Sequence, residues 1–461
     1  MNNRPRNAVH RRSSPVDQSR RIAYDVLHEV GANDAYANLA LQQALRGADL
    51  DQRDAGFVTD VVNGTLRYRF TIDAVLGQCV HRTLASLDPR VLDVLRMGAY
   101  QLLITDTDAY AAVDTSVNLV AAVVGDAPKG LVNATLRAVS RKSRDEWIEA
   151  IVAERRPDTV DELALRHSHP RWVVSSLRDA LGSEHGEELA DLLAVNNEPP
   201  DVTLVARPGL CSVEELIDQG AAPGRWSDYA AIAPAGNVGQ FQAVRQRRAG
   251  VQDEGSQLVA IALTEAPVDG SDRYWVDLCA GPGGKTALMA GIAAQRGAEV
   301  VGVDLHLHRA ELVSQAASGS DGFAGVAVGD ATTPPLRPGA DRVLLDAPCT
   351  GIGVMRRRSE LRWRRKPADI AELTAVQERL LDAALDLTRV GGVVAYVTCS
   401  PHVAETDLVI SQVQRKRSDF VLMNAVELFP GVPELGPGPT VRLWPQRHGT
   451  DGMFFALMRR T

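Results

Sequence analysis

The sequence predicts an α/β protein, in which a mostly parallel, doubly wound sheet of seven strands follows an all-α bundle and a small α+β domain. From Gln252 onwards, short apolar runs that end in Asp or Gly alternate with helical stretches, as expected when helices cover both faces of a parallel sheet. Before residue 145, apolar residues recur with helical spacing and show no convincing strand alternation.

The N-terminal part of the chain divides into a tail and a helical bundle. Residues 1–20 are polar and rich in Arg and Ser, so we expect a disordered basic tail. Within residues 21–145, Ile22, Val26 and Val30 fall on one helical face, and the same spacing returns later in the segment. This pattern predicts a bundle of helices.

A small α+β domain is expected over residues 146–250. Apolar spacing predicts helices over Val173–Leu181 and Glu187–Ala194, and a strand over Asp201–Ala206. The stretch 218–250 is rich in Gly, Ala and Pro, which favours loops with short strands.

The predicted sheet lies within residues 251–461. Seven strands are expected, at Tyr274–Cys279, Glu299–Asp304, Gly325–Val328, Arg342–Asp346, Val393–Thr398, Phe420–Met423 and Met453–Met458. Helices are expected at Lys285–Gln295, Arg309–Ala317, Ala368–Thr388 and Ala404–Arg415. Ligands of such sheets bind beyond the carboxyl ends of the strands. The unusual residues of this sequence lie at those ends.

The composition excludes several classes of protein. Of 461 residues, 45% are hydrophobic and 23% are charged, which excludes a wholly disordered or fibrous chain. The apolar runs are much shorter than the roughly 18 residues of a membrane-spanning helix. No apolar stretch follows the basic N-terminus, as a secretion signal requires. Five widely spaced cysteines without a CxxC pair favour a reduced, cytoplasmic protein.

Positive charge is concentrated in two segments. The net charge of −8 argues against a nucleic-acid binder, yet residues 1–21 contain six arginines and one aspartate. Residues 356–366 contain seven basic residues and one glutamate. Such segments on an acidic chain fit a phosphate-binding surface, with Arg356, Arg357 and Arg358 as candidate contacts. A solvated tail and a solvated helix face explain them equally well.

The segment Asp277–Thr286 follows a predicted strand and opens a helix. Its glycines let the backbone approach a ligand, and the helix N-terminus offers free N–H groups. It fails the P-loop pattern, because Cys279 stands where Gly is needed, and it also fails the GxGxxG pattern. Asp304 ends the next strand, where an acid can accept ribose hydroxyls, and Asp330 follows the third. An ordinary tight turn would also explain the glycines.

Two cysteines follow neighbouring strands of the predicted sheet. Cys349 lies in the segment DAPCTGIG, which begins at Asp346, and Cys399 lies in the segment VTCSP. A lone cysteine is usually a small buried side chain, but two at neighbouring strand ends indicate chemistry. A thiolate there can act as a covalent nucleophile if positive charge, from Lys285 for example, lowers its pKa.

The histidines and one tryptophan are less informative. The pairs His167/His169 and His306/His308 lack other ligands nearby in the sequence, so no metal site is expected. Trp363 lies within the second basic segment, where it either stacks on a nucleic-acid base or fills a gap in the core.

Together these motifs resemble those of the RNA cytosine-5 methyltransferases of the Nol/Nop/Sun family. The resemblance covers residues 160–461 and rests on DLCAGPGGKT, DAPCTGIGVMRRR, VTCSPHVAETD and LWPQRHGTDGMFFALMRR, with VQDEGSQL before them. The segments VLRMGAY and LVNATLR resemble NusB, an RNA-binding helical bundle. Glu405-Thr406-Asp407 departs mildly from a Glu-Asn-Glu-like segment of the family.

The resemblance implies a Rossmann-like domain that uses S-adenosylmethionine to methylate carbon 5 of cytosine. The implied partner is RNA, most directly small-subunit (16S) ribosomal RNA, and a monomer without metal or membrane association is expected. Cys399 would be the nucleophile, Cys349 would assist product release, and Asp346 would take part in catalysis. The donor would be held by Cys279, Ala280, Gly281, Pro282, Gly283, Gly284, Lys285, Asp304, Asp330 and Asp346.

Other functions stay open at this point. An ATPase or a nucleotide-dependent oxidoreductase is disfavoured by Cys279 and by the failed glycine pattern. A non-catalytic RNA-binding or antitermination factor is disfavoured because Cys349 and Cys399 are both intact. The Thr-Cys-Ser sequence around Cys399 favours RNA over DNA, and another RNA, such as tRNA, is the alternative substrate.

Overall fold

The computed structural model describes residues 17–33, 35–234 and 238–461. The described residues form two compact units: the residues up to Arg171 together with Arg358–Glu360, and Trp172–Arg357 together with Leu361–Thr461. Most of the predicted tail over residues 1–20 lies outside the described residues. Gln18–Arg20, however, are helical, so the prediction is wrong for these three residues. The Ser19 N–H donates to the Asp17 carboxylate, which stabilises the helix start.

The first unit is a helical bundle, as predicted. It contains α1 (Gln18–Asn33), α2 (Ala37–Arg46), α3 (Gln52–Arg67), α4 (Arg69–Cys79), α5 (Pro89–Leu103), α6 (Ala109–Val123), α7 (Lys129–Val139), α8 (Arg144–Arg155) and α9 (Thr159–His167). Its helices pack closely at Gly64, where a Cβ would overlap the Tyr100 ring. A capping box of Ser143 and Glu146 starts α8, and the unit continues beyond the predicted boundary at residue 145.

A small antiparallel sheet precedes the main sheet. This part of the chain contains α10 (Arg171–Leu181), α11 (Leu189–Val195), β1 (Val202–Ala206), α12 (Val213–Asp218), β2 (Ala222–Pro223), β3 (Ala230–Ala233), α13 (Gln242–Arg245) and β4 (Ala249–Val251). The strand order is β2-β3-β1-β4, over a core around Leu204, Leu216 and Phe241. The predicted strand at residues 201–206 is confirmed as β1. Contacts group this sheet with the main sheet in one unit, which begins at Trp172.

The main sheet has eight strands. They are β5 (Tyr274–Asp277), β6 (Glu299–Asp304), β7 (Phe323–Val328), β8 (Ala340–Asp346), β9 (Thr388–Thr398), β10 (Phe420–Met423), β11 (Val441–Leu443) and β12 (Met453–Arg460). The order is β10-β12-β9-β8-β5-β6-β7, and β11 pairs with β12. Strands β5 to β9 are parallel, whereas β12 runs antiparallel to β9 and β10. The predicted mostly parallel sheet is confirmed, with β11 as an additional strand.

Helices cover both faces of this sheet. They are α14 (Glu254–Glu265), α15 (Gly284–Arg296), α16 (Leu307–Ala317), α17 (Leu361–Arg364), α18 (Asp369–Leu387), α19 (Asp407–Lys416) and α20 (Pro445–His448). Alternate strand residues enter two apolar cores, with Trp275 and Phe455 in one and Val276 and Phe454 in the other. Among the described helices, none is long and apolar enough to cross a membrane. Strand β5 lies between β6 and β8. The chain continues from β5 to β6 and β7 on one side and later returns to β8 on the other side, so a cleft opens at the carboxyl end of β5.

Candidate active site

The carboxyl ends of the parallel strands gather most of the predicted site residues. Strands β5, β6 and β8 end at Asp277, Asp304 and Asp346, and β9 ends at Thr398, one residue before Cys399. Asp346 pairs in register with Val397, so the loops that contain the two cysteines leave the sheet side by side. The cleft therefore has a donor-loop side, at β5 and β6, and a cysteine side, at β8 and β9.

Glycines hold the loop between β5 and α15 close to β6. A Cβ on Gly281 would lie only 2.4 Å from Oδ2 of Asp304. Gly283 has a φ of 103°, which favours glycine, and a Cβ there would lie 2.7 Å from Cα of Val313. A side chain at Gly283 would therefore overlap backbone, whereas one at Gly281 would require the side chains of Asp304 and Arg309 to shift. Burial raises the pKa of the Cys279 thiol in the same loop, so this cysteine stays protonated.

Asp304 is buried and has donors on both carboxylate oxygens. Oδ1 accepts the His306 N–H at 3.0 Å, and Oδ2 accepts the Gly281 N–H at 3.0 Å. The Arg309 Nε atom lies 3.2 Å from Oδ2. Because each carboxylate oxygen accepts about two hydrogen bonds, Oδ1 retains one acceptor position for a ligand.

Two other predicted residues lie away from this network. Asp330 is exposed after β7, and its Oδ1 accepts from the Thr332 N–H and hydroxyl, both at 2.8 Å. These hydrogen bonds lower the pKa of Asp330 and hold the turn. Trp363 is half-buried on α17.

Lys285 connects the donor loop with the cysteine side. Its Nζ donates to Oδ2 of Asp346 at 2.8 Å. Burial lowers the pKa of Lys285, but the Asp346 carboxylate raises it more. The pKa of Lys285 is therefore above its ordinary value, and the ammonium stays charged. Asp277, behind this pair, is fully buried, which raises its pKa to about 7.

The two cysteines lie in contact. The Sγ atoms of Cys349 and Cys399 are 3.4 Å apart, although the residues are separated by 50 positions in the chain. Cys349 is buried and Cys399 is half-buried. The hydrogen bond with Cys399, followed by burial, raises the pKa of Cys349 well above its ordinary value. The structure thus brings together the pair that the sequence predicts, with Cys399 the more accessible thiol.

A buried carboxylate to which the sequence assigns no role, that of Glu405, joins the two cysteine loops. Glu405 is 0% exposed, and its Oε1 accepts the Thr350 N–H at 2.7 Å and Gln377 Nε2 at 3.2 Å. Its Oε2 accepts from the hydroxyls of Thr350 and Ser400. The Tyr396 hydroxyl donates to its backbone carbonyl at 2.7 Å. Thr350 and Ser400 each follow one of the cysteines, so Glu405 fixes the distance between them.

The basic segment is only partly a free surface. Arg356 and Arg357 lie 3.2 and 3.0 Å from carboxylate oxygens of Asp451, and Arg357 also lies 2.8 Å from Asp253. Burial raises the pKa of Asp451 to about 6. The prediction of a phosphate-binding role is therefore corrected for Arg356 and Arg357, because these acids already neutralise them. Arg358 is exposed, and its guanidinium lies 5.9 Å from the Tyr36 ring centre within the first unit.

Within the described ranges, no group of three or more His, Cys, Asp or Glu side chains has an arrangement that holds a metal ion. The pair His306 and His308 stacks, with ring centres 5.6 Å apart.

Known proteins match the chain along most of its length. Residues 262–459 match the family model for the 16S rRNA methyltransferase RsmB/F, and residues 17–141 match the NusB family. A protein of Mycobacterium tuberculosis named as a methyltransferase is 46% identical over 97% of this chain and 98% of its own. A Bacillus subtilis protein named as a ribosomal RNA small subunit methyltransferase B is 30% identical, over 96% and 98%.

A solved structure has the same fold. The crystal structure of NSun6 from Pyrococcus horikoshii with SFG superposes with a TM-score of 0.54 at 20% identity, over 63% of this chain and 98% of that one. The predicted resemblance and the predicted fold are both confirmed. The chain is a methyltransferase that belongs to the RsmB/F family and has a NusB-family region on its N-terminal side.

Proposed function

We propose that this methyltransferase transfers a methyl group from S-adenosylmethionine to carbon 5 of cytosine in RNA. The observation that carries the proposal is the pair of thiols 3.4 Å apart, beside the ion pair of Lys285 and Asp346. Carbon 5 of cytosine is a weak nucleophile within an aromatic ring, so the ring must be activated before methylation. A thiol nucleophile and a second thiol beside it fit that need.

The donor loop fits S-adenosylmethionine. Gly281 and Gly283 bring the backbone close to the end of β6, and Asp304 keeps an acceptor position that suits a ribose hydroxyl. When bound, S-adenosylmethionine supplies an electrophilic methyl group. The structural neighbour solved with SFG, an analogue of this donor, supports the assignment.

Cys399 is the nucleophile in this proposal. The raised pKa of Cys349 keeps its thiol protonated, so Cys399, whose sulfur lies 3.4 Å away and is more accessible, is the thiol left to attack the base. The thiolate forms a bond to carbon 6 of cytosine, which breaks the aromaticity and makes carbon 5 nucleophilic, like an enamine.

Asp346 orients the base. Its Oδ2 is held by Lys285, and Oδ1 is the oxygen left to accept the amino group of cytosine. After methylation a base removes the proton from carbon 5, a step that Cys349 assists in this proposal, and the electron pair of that C–H bond restores the double bond. The electrons of the bond to carbon 6 return to the sulfur of Cys399. The cytosine must leave its base stack to reach both thiols, so unpaired or opened RNA is expected.

Small-subunit ribosomal RNA is the substrate we propose within this class. Relatives named for that substrate cover most of the chain, and the NusB-family region supplies a second RNA-binding candidate. The intact thiol pair disfavours a non-catalytic antitermination factor. We place this activity in the cytoplasm, where the ribosomal RNA of its bacterial relatives is located.

Bisulfite sequencing of RNA tests the proposal. We expect one or more cytosines of small-subunit ribosomal RNA to be protected from conversion in cells with the protein and converted in cells without it. A gene that encodes Cys399→Ala should not restore protection. Protection at a tRNA position instead would change the substrate, and identical patterns in all RNA would overturn the proposed function.

A further inference from the structure

An amide beside the donor loop has no role in the mechanism above. Gln252 follows β4 and is 8% exposed, and both its Oε1 and Nε2 are buried without a hydrogen-bond partner among the described residues. An unpaired buried polar group destabilises the folded state. Two such atoms on one side chain indicate a partner that arrives with a ligand.

The backbone around Gln252 is held on both sides. Its N–H donates to the Thr203 carbonyl at 3.0 Å, and its carbonyl accepts from Gln257 Nε2 at 3.1 Å. The next residue, Asp253, caps α14 and binds Arg357 at 2.8 Å. These backbone contacts fix where the side chain of Gln252 begins, so its amide does not depend on hydrogen bonds of its own to stay beside the donor loop.

The amide lies over the first residue of α15. A Cβ on Gly284 would lie 3.5 Å from Cδ and Oε1 of Gln252 and 3.7 Å from Nε2, and these are the nearest atoms. Helix α15 has 13 residues, and Gly283 before it provides no side-chain cap. The first N–H groups of a helix have no partner inside it and attract anions. An unpaired amide and an uncapped helix start thus point to the same place.

We propose that Gln252 and the start of α15 bind the amino-acid end of the methyl donor. The helix N–H groups and Gln252 Nε2 donate to its carboxylate, and Gln252 Oε1 accepts from its ammonium group. One amide offers one donor group and one acceptor, which matches the zwitterion. The target cytosine is assigned to the cysteine side, whereas Gln252 lies on Gly284. The inference rests on the proposed use of S-adenosylmethionine.

Binding measurements with two ligands test it. 5′-Methylthioadenosine lacks the amino-acid end, so it reports on the adenosine part alone. In Gln252→Met, which keeps the length but removes both hydrogen bonds, we expect S-adenosylmethionine affinity to fall about tenfold, because buried polar contacts are lost. The affinity for 5′-methylthioadenosine should be unchanged. Exposed Gln246→Met is the matched control.

A second variant separates binding from folding. Gln252→Glu keeps the shape of the side chain but places a negative charge towards the donor carboxylate. It should therefore weaken the binding of S-adenosylmethionine more than Gln252→Met does. Thermal melting without ligand should show Gln252→Met at least as stable as the wild type. If Gln252→Met weakens the binding of both ligands equally, the inference is overturned. It is also overturned if the variant binds the donor with unchanged affinity but has a raised KM for RNA. If the wild type binds neither ligand, the proposed function itself fails.

Discussion

The donor-loop side and the cysteine side of the cleft are held by different kinds of bond. On the donor-loop side, Asp304 accepts backbone N–H groups of Gly281 and His306, and glycines set the loop. On the cysteine side, the carboxylate of Glu405 accepts side-chain hydroxyls from two loops. The first arrangement depends on backbone shape, and the second depends on a few replaceable side chains. Substitutions should therefore damage the two sides independently.

The largest expected effect comes from replacing each of the two cysteines of the cysteine side in turn. Cys399→Ala removes the nucleophile, so methylation should fall by about 10^4-fold or more without any covalent RNA complex. Cys349→Ala should still form the bond to carbon 6, but it should break that bond slowly and accumulate a protein–RNA adduct. Denaturing gel electrophoresis with S-adenosylmethionine and target RNA detects the adduct. If Cys399→Ala traps RNA instead, the two roles are reversed.

The next effect concerns the buried carboxylate. Glu405→Gln removes the charge that accepts from Thr350 and Ser400, so the free energy of unfolding should fall by about 2–4 kcal/mol. Methylation should fall as the sulfurs lose their spacing, while donor affinity stays unchanged. Urea denaturation and calorimetry measure the two quantities. Exposed Glu372→Gln is the control, and full activity in Glu405→Gln would contradict the positioning role.

The donor-loop side is tested at Asp304. Asp304→Asn keeps the size of the side chain but loses the negative charge of the carboxylate that we expect to accept a ribose hydroxyl. The free energy of donor binding should therefore weaken by about 2 kcal/mol. Adduct formation in the Cys349→Ala background should still be possible at saturating donor. Calorimetry with S-adenosylmethionine gives the affinity. An unchanged dissociation constant in a folded variant would refute the assignment.

A smaller effect depends on pH. The pKa of Asp277 is about 7 in the folded protein because of burial, well above its ordinary value, so the folded state holds the proton more tightly than the unfolded state. Stability should therefore fall as pH rises from 5 to 8, by about 2 kcal/mol from this group. The variant Asp277→Asn should lack this part of the pH dependence of stability. Denaturation at four pH values tests this, and parallel curves for the two proteins would exclude it.

Local patterns predict the donor-loop side well. Strand β6 has the predicted bounds, and the loop after Asp277 leads into α15 as expected. Strand β10, at the opposite edge of the sheet, has its predicted bounds as well. Apolar spacing and glycine positions are short-range features, and they determine short-range structure. The helix predicted to reach Thr388 ends one residue earlier, because that residue starts β9.

Contacts between residues that are distant in the chain could not be predicted from the sequence. Glu405 lies 55 positions from Thr350, and Asp451 lies 94 positions from Arg357, so neither partnership shows in a local pattern. The run of arginines therefore predicts a free basic surface where the structure has an internal ion-pair cluster. Strand β11 was missed because three residues do not establish an alternation.

The position of β12 sets the order in which this enzyme is completed during synthesis. Strand β12 (Met453–Arg460) lies between β9 and β10, although the chain makes β9 (Thr388–Thr398) and β10 (Phe420–Met423) first. Until β12 has left the ribosome, β9 presents an open edge of unpaired N–H and C=O groups. The strand that precedes Cys399 is thus completed late, so we expect a nascent chain that stops before Met453 to be inactive and prone to aggregation.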